Sequence, residues 1–148
     1  MLYFDTSFLA PLILEEATST AVEEFMAGLR PGALAVSHWT RVEFSSLLAR
    51  EVRMGGLEPW AAKAADAQFE TMIHESFAVF TPNAEDFNAA RRFIGNYDTG
   101  LRAGDALHLA IARSNQAEMI YSLDKTLLKA GRALALPVST GIAVSNEP

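Results

Sequence analysis

A chain of 148 residues, half of them hydrophobic and a fifth charged, is sized for one globular domain, taken here as residues 1–148, and excludes a disordered polymer. The absence of cysteine removes disulfides, thiolate metal sites and cysteine nucleophiles from consideration. Twelve Lys and Arg against eighteen Asp and Glu give a net charge of −6, so a general basic footprint for nucleic acid is missing. Any nucleic-acid chemistry must then rest on a local site where metal ions supply the positive charge.

In chain order, Met1–Asp5 reads as a strand, followed at once by a helix through Leu14. The apolar start lacks a basic leader, and Asp5 and Pro11 interrupt it, so it makes a poor signal peptide. No run approaches the roughly 18 apolar residues of a membrane helix. A soluble, cytoplasmic protein without membrane contact is expected. A second helix follows, with Thr20 and Glu23 spaced as a capping box and Gly28, Pro31 and Gly32 ending it. Leu34–Ser37 is a short strand, and His38–Met54 a helix closed by Gly55 and Gly56. Pro59 opens a helix running to about His74. Phe77–Thr81 is a strand stopped by Pro82.

Asn83 to about Tyr97 is helical. A loop at Asp98–Gly100 separates it from the helix Arg102–Asn115. Glu118–Leu123 is a strand, Lys125–Arg132 a helix, Leu136–Ser139 an edge strand, and the residues through Pro148 a tail. Short apolar runs alternating with longer amphipathic ones imply an α/β fold with a mainly parallel sheet of about four to five strands.

Four acids fall where such a fold gathers ligands, outside the carboxyl ends of its strands. Asp5 ends the first strand and Asp124 directly follows the strand Met119–Leu123. Glu43 lies in the second turn of the third helix, and Asp105 in the first turn of the helix before Asp124's strand. Asp5, Asp105 and Asp124 each have an ordinary explanation as helix-start acids. Glu43 does not. It shares a helix face with Trp39 and Leu47, and a carboxylate between apolar neighbours is costly unless paired or metal-bound. Asp105 likewise shares a face with Leu101 and Leu109. Two acids inside apolar stripes and two at strand ends suit a shared hard cation, Mg2+ or Mn2+.

Residues around the acids have weaker signals. Thr6 and Ser7 are placed to orient Asp5 or to bind phosphate, and equally to cap the helix; the two roles are compatible. Ser122 is similar. Arg102 is either a phosphate contact or a solvated arginine. Asp98 is read as a loop residue. For His108, a hydrogen-bonded core histidine is favoured over a catalytic base. His38 and His74 complete no zinc pattern. Trp39, Trp60, Phe69 and Phe77 are read as core or dimer-seam aromatics rather than base-stacking platforms.

Leu2-Tyr-Phe-Asp-Thr-Ser7, Ser37 through Glu43, Arg102-Ala-Gly-Asp105-Ala-Leu-His-Leu-Ala110 and Tyr121-Ser-Leu-Asp124 together resemble, in order and spacing, the four motifs of PIN-domain nucleases, especially VapC-type toxins. The third stretch is the most specific. The resemblance implies a three-layer α/β/α PIN fold and Mg2+- or Mn2+-dependent cleavage of single-stranded RNA. It places the site at Asp5, Glu43, Asp105 and Asp124. It also implies a homodimer neutralised by a small antitoxin protein. Ser122 departs from the family's usual Thr but keeps the hydroxyl.

Three alternatives carry distinct signatures. A receiver-type signalling domain needs adjacent acids after the first strand, where this chain has only Asp5-Thr-Ser. A haloacid-type phosphatase needs a second Asp two residues after Asp5, where Ser7 stands. A non-catalytic PIN-like module that binds RNA or protein would be expected to lack some of the four acids.

Overall fold

A computed structural model describes residues 1–144; the expected tail lies, from residue 145 onward, outside the described residues. Five strands form one sheet in the order β3-β2-β1-β4-β5, and every pairing is parallel. They are β1 (Leu2–Phe4), β2 (Leu34–Ser37), β3 (Ala78–Phe80), β4 (Met119–Tyr121) and β5 (Val138–Ser139). The helices are α1 (Thr6–Leu9), α2 (Ser19–Ala27), α3 (His38–Arg53), α4 (Pro59–Ser76), α5 (Ala84–Gly95), α6 (Ala103–Ser114) and α7 (Lys125–Ala133). Among the described residues no helix is long and apolar enough to cross a membrane.

Side-chain alternation along the strands divides the core into two layers. Phe4, Val36 and Tyr121 face one side, where Phe8, Phe44, Phe69 and Ile73 of α1, α3 and α4 cover them. Tyr3 and Ile120 face the other, under Phe93 of α5, Leu109 and Ile111 of α6 and Leu127 of α7. Phe44 and Phe69 stack with ring centres 4.0 Å apart and lock α3 onto α4. The three-layer α/β/α architecture follows.

The chain winds outward from β1 through β2 to β3, then returns to the far side of β1 for β4 and β5. The winding reverses between β1 and β4, so a crevice opens beyond their carboxyl ends, the usual ligand position in open parallel sheets.

Local differences from expectation have local causes. The first helix is only four residues long, because Pro11 has no N–H to continue it; Ala10–Leu12 tightens into a 3-10 turn. The Thr20–Glu23 capping box does not form. α2 starts two residues earlier than Thr20 as a cap would set it, and the Ser19 hydroxyl instead donates to the Pro11 carbonyl (2.7 Å) and accepts from the Glu16 N–H (2.9 Å). Two capping boxes form elsewhere, at Ser37–Thr40 on α3 and Asn83–Asp86 on α5. The loop Asp98–Gly100 contains a 3-10 turn, Tyr97–Thr99, closed by Gly100 at φ 69°. Of the four aromatics read as core or seam, Phe69 is buried and Trp39 and Phe77 are partly buried. Trp60 is 74% exposed and packs in neither layer.

Candidate active site

Asp5 emerges from β1 into the crevice with its backbone N–H donating to the Tyr121 carbonyl of β4 (3.1 Å). Its side chain is buried and both oxygens accept hydrogen bonds. Oδ1 accepts from the Phe8 N–H (3.1 Å) and the Ser7 hydroxyl (2.8 Å), and Oδ2 accepts from the Ser122 hydroxyl (2.6 Å). Asp5 thus caps α1 and is also anchored across the crevice to the end of β4. Burial raises its pKa, opposed by His108 and these hydrogen bonds.

Ser7 and Ser122 staple the β1 and β4 ends together. The Ser7 hydroxyl accepts from the Leu123 N–H (2.9 Å), and the Ser122 hydroxyl accepts from the Asp124 N–H (3.0 Å). Asp124 then caps α7, its Oδ1 accepting from the Thr126 (2.8 Å) and Leu127 (3.1 Å) N–H groups. The helix-start explanation therefore applies to both Asp5 and Asp124, and neither loses its place at the crevice by it. Asp124→Ala should lower stability by about 1 kcal/mol through the lost cap, whereas Asp124→Asn, which keeps an acceptor, should cost much less. Indistinguishable melting curves for the two variants would show that the cap is energetically idle.

Glu43 reaches the crevice from the second turn of α3. Its Oε1 accepts from the Thr6 hydroxyl (2.6 Å) and pairs closely with Nε2 of His108 on α6. Burial alone would raise the Glu43 pKa, but the hydrogen bond and charge of His108, aided by Thr6, hold it below the ordinary value. His108 is 1% exposed, as a core histidine should be. Burial disfavours its charged form, yet Tyr3 and the Glu43 carboxylate outweigh that and push its pKa up to about 10.

Asp105, in the first turn of α6, differs from the other three acids. It is half-buried and accepts no hydrogen bond among the described residues. Burial, then the like charges of Asp124 and Asp5, raise its pKa to about 7, with Glu43 adding to the rise and His108 opposing it. All three other acids therefore act electrostatically on Asp105. Arg102, the residue before α6, is exposed and forms no ion pair among the described residues.

Asp5, Thr6, Ser7, Glu43, Asp105, Ser122 and Asp124 thus come together at the β1/β4 crevice, while Arg102 is an exposed residue three positions before Asp105. Tyr3, Ser37 and Gly104 support this group and were not singled out from the sequence. One signal pointed to them: a histidine inside the apolar run Ala106–Ala112 must find buried polar partners.

Among the described residues no three acids or histidines converge closely enough to hold a metal ion directly. The chemistry of the donor set nevertheless fits a hard divalent cation. Every candidate ligand is a carboxylate oxygen, and Asp105 is an unpaired acid whose charge the others oppose.

A family model described as PIN domain matches residues 2–133. No curated protein matches the chain significantly. Several solved structures share its fold. One is VapC20 of Mycobacterium tuberculosis, described as a sarcin-ricin-loop-cleaving toxin, at 23% identity over 88% of this chain and 95% of that one, with a TM-score of 0.70. VapBC-1 from nontypeable Haemophilus influenzae is similar at 16% identity over 95% and 98%, with a TM-score of 0.67. FitAcB from Neisseria gonorrhoeae is similar at 13% identity over 95% and 98%, with a TM-score of 0.65.

Proposed function

This chain belongs to the PIN-domain family, and from that premise we propose that it is a Mg2+- or Mn2+-dependent endoribonuclease of single-stranded RNA, the toxin of a toxin–antitoxin pair. The observation that carries the reading is Asp105, an unpartnered, half-buried acid beside Asp124, Asp5 and Glu43, whose pKa burial and then those like charges raise to about 7. Strongly shifted acids gathered with like-charge neighbours cluster at functional sites.

In this reading Asp5 and Asp105 hold the metal, directly or through water, and Glu43 and Asp124 hold its waters or a second ion. When bound, the ion lowers the pKa of water and offsets negative charge building on the phosphate. The chain's own contribution is positioning. Ser7 and Ser122 fix the Asp5 carboxylate, Thr6 and His108 fix Glu43, and the Leu123–Asp124 turn is held by the same two serines. His108 is buried with both ring nitrogens engaged, so it does not meet the substrate as a base. Arg102, exposed at the start of α6, is available to an RNA phosphate.

The test is incubation of the purified protein with single-stranded RNA in Mn2+, in Mg2+ and in EDTA. Cleavage with either metal, none in EDTA, and no phosphate release from a monoester is the expected pattern. A non-catalytic RNA- or protein-binding module would cut nothing under any condition, and that result would overturn the reading.

A homodimer and a small antitoxin partner complete the proposal. Support comes from a mean hydropathy of +0.12 and from an apolar cleft between α3, α5 and α6, beside which Phe87 is 52% exposed. Light scattering should give twice the chain mass at high micromolar concentration, and a monomer there would refute the dimer. Affinity purification from the native cell should bring down a small protein encoded next to this one; its absence would count against the toxin role.

A further inference from the structure

We propose that Tyr3, His108 and Gly104 are positioning residues that hold the Glu43 carboxylate with one oxygen tied to the fold and the other presented to the acid crevice. The inference rests on the nuclease reading for its catalytic consequence, but its geometry stands apart from it.

Tyr3, Ser37, Thr40 and His108 are all buried between the sheet and the helices. Their polar atoms form one chain. The Tyr3 hydroxyl lies 2.6 Å from His108 Nδ1 and 2.9 Å from Ser37 Oγ, which is 3.4 Å from Thr40 Oγ1. Donor directions are consistent along it. With both ring nitrogens of His108 protonated, Nδ1–H donates to Tyr3, which leaves the Tyr3 hydroxyl to donate to Ser37 and Ser37 to donate to Thr40. The Nε2–H is left to donate to Glu43 Oε1.

Packing alone does not require these polar groups. The Tyr3 ring already stacks on Phe80 with centres 6.2 Å apart, and position 108 lies in an otherwise apolar stretch. Phe and Leu would fill those sites without the desolvation cost of a hydroxyl and an imidazole. The added groups instead make a directional relay whose outer end is the Glu43 carboxylate.

The other side of Glu43 is bounded by Gly104. A Cβ there would lie 2.8 Å from Glu43 Oε2 and 3.4 Å from the Trp39 ring. The Trp39 indole N–H donates to the Gly104 carbonyl (3.2 Å), which keeps α3 and the start of α6 in this close approach. Glycine at 104 therefore serves as room for the carboxylate. With Thr6 and His108 both on Oε1, rotation of the carboxylate is blocked. Oε2, which accepts no hydrogen bond among the described residues, stays beside the residue that precedes Asp105.

Tyr3→Phe and Gly104→Ala test the inference, because neither alters a charge: the first removes only the relay hydroxyl, and the second sets a methyl against Glu43 Oε2. Metal-free protein is titrated with Mn2+ by calorimetry, and kcat and KM are measured on RNA, with circular dichroism and melting as fold controls. Each variant is expected to weaken Mn2+ binding and lower kcat by about tenfold or more, with KM for RNA unchanged. His108→Gln, whose amide keeps a donor toward Glu43, should retain more of both than His108→Leu. If His108→Leu fails to fold, the other two variants decide. Folded Tyr3→Phe and Gly104→Ala proteins that bind Mn2+ and turn over as wild type would overturn the relay while leaving the nuclease reading in place. Relay-dependent Mn2+ affinity in a protein that cuts no RNA would uphold the relay and overturn the nuclease. A wild type that binds no Mn2+ would overturn both.

Discussion

Asp105→Asn is expected to fold as wild type and to lose Mn2+-dependent RNA cleavage by at least about a thousandfold. That factor corresponds to the several kcal/mol of charge stabilisation a catalytic metal contributes. The substitution is nearly isosteric, and Asp105 accepts no hydrogen bond among the described residues that asparagine would break, so the fold has little reason to respond. Asp5→Asn should lose activity comparably. Asparagine there keeps an Oδ1 to accept from Phe8 and Ser7, and its amide meets the Ser122 hydroxyl, which turns to accept instead of donate. Single-turnover cleavage assays at saturating protein measure both variants. Near wild-type rates in either would remove that residue from the active site.

A melting series over pH, in EDTA and in Mn2+, should show the second large effect. The Asp105 pKa rises from 3.8 to about 7 on folding, so between those values the folded state holds a proton that the unfolded state has released. Its stabilising contribution is full below the lower value and is lost as pH climbs through the upper one. Asp5, also raised, acts in the same direction. His108, raised from 6.5 to about 10, acts the same way at higher pH: its contribution is full below the lower value and is lost as pH climbs through the upper one. Glu43, lowered, does the reverse and gives up stability as pH falls below its ordinary value. Metal-free protein should therefore melt at higher temperature near pH 5 than near pH 8, and lose stability again in stronger acid.

Removing the charge at 105 should do at neutral pH what a proton does in mild acid. In EDTA, Asp105→Asn should melt at or above the wild-type temperature, with a flatter pH dependence between about 4 and 7. Mn2+ at a hundredfold excess over its Kd should stabilise wild type by about 2.7 kcal/mol, and the variant by less. A variant clearly destabilised in EDTA that gains as much from Mn2+ as wild type would make Asp105 a structural acid at the start of α6.

Much of this site is visible before folding because its parts follow local rules. An acid directly after a short apolar strand, as at Asp5 and Asp124, is both a helix cap and a strand-end ligand, and the structure gives both residues the cap without removing them from the crevice. Glu43 stood out because helical periodicity put a carboxylate among apolar neighbours. The misplaced features are also local. The Thr20–Glu23 box lost to a start at Ser19 that satisfies the Pro11 and Glu16 backbone groups, contacts invisible in helix periodicity alone. Trp60 followed helical spacing, yet the residues its helix turns into the core are Ala62, Ala65, Phe69 and Ile73, so of its two readings the core one falls and the seam one stays open.

The sequence by itself determined the α/β rhythm, the parallel sheet and the family, and it singled out the four candidate acids, because each depends on short-range patterns of polarity and spacing. Only the tertiary structure decided how those acids interact. The reversal of winding at β1 sets Asp5 beside Ser122, 117 residues away, and the approach of α3 to α6 sets Glu43 beside His108, 65 residues away. Pairing, desolvation and pKa depend on distances of a few ångströms between such remote residues. Hence the distinction between Glu43, charged and clamped, and Asp105, unpaired and near neutrality, arises only on folding.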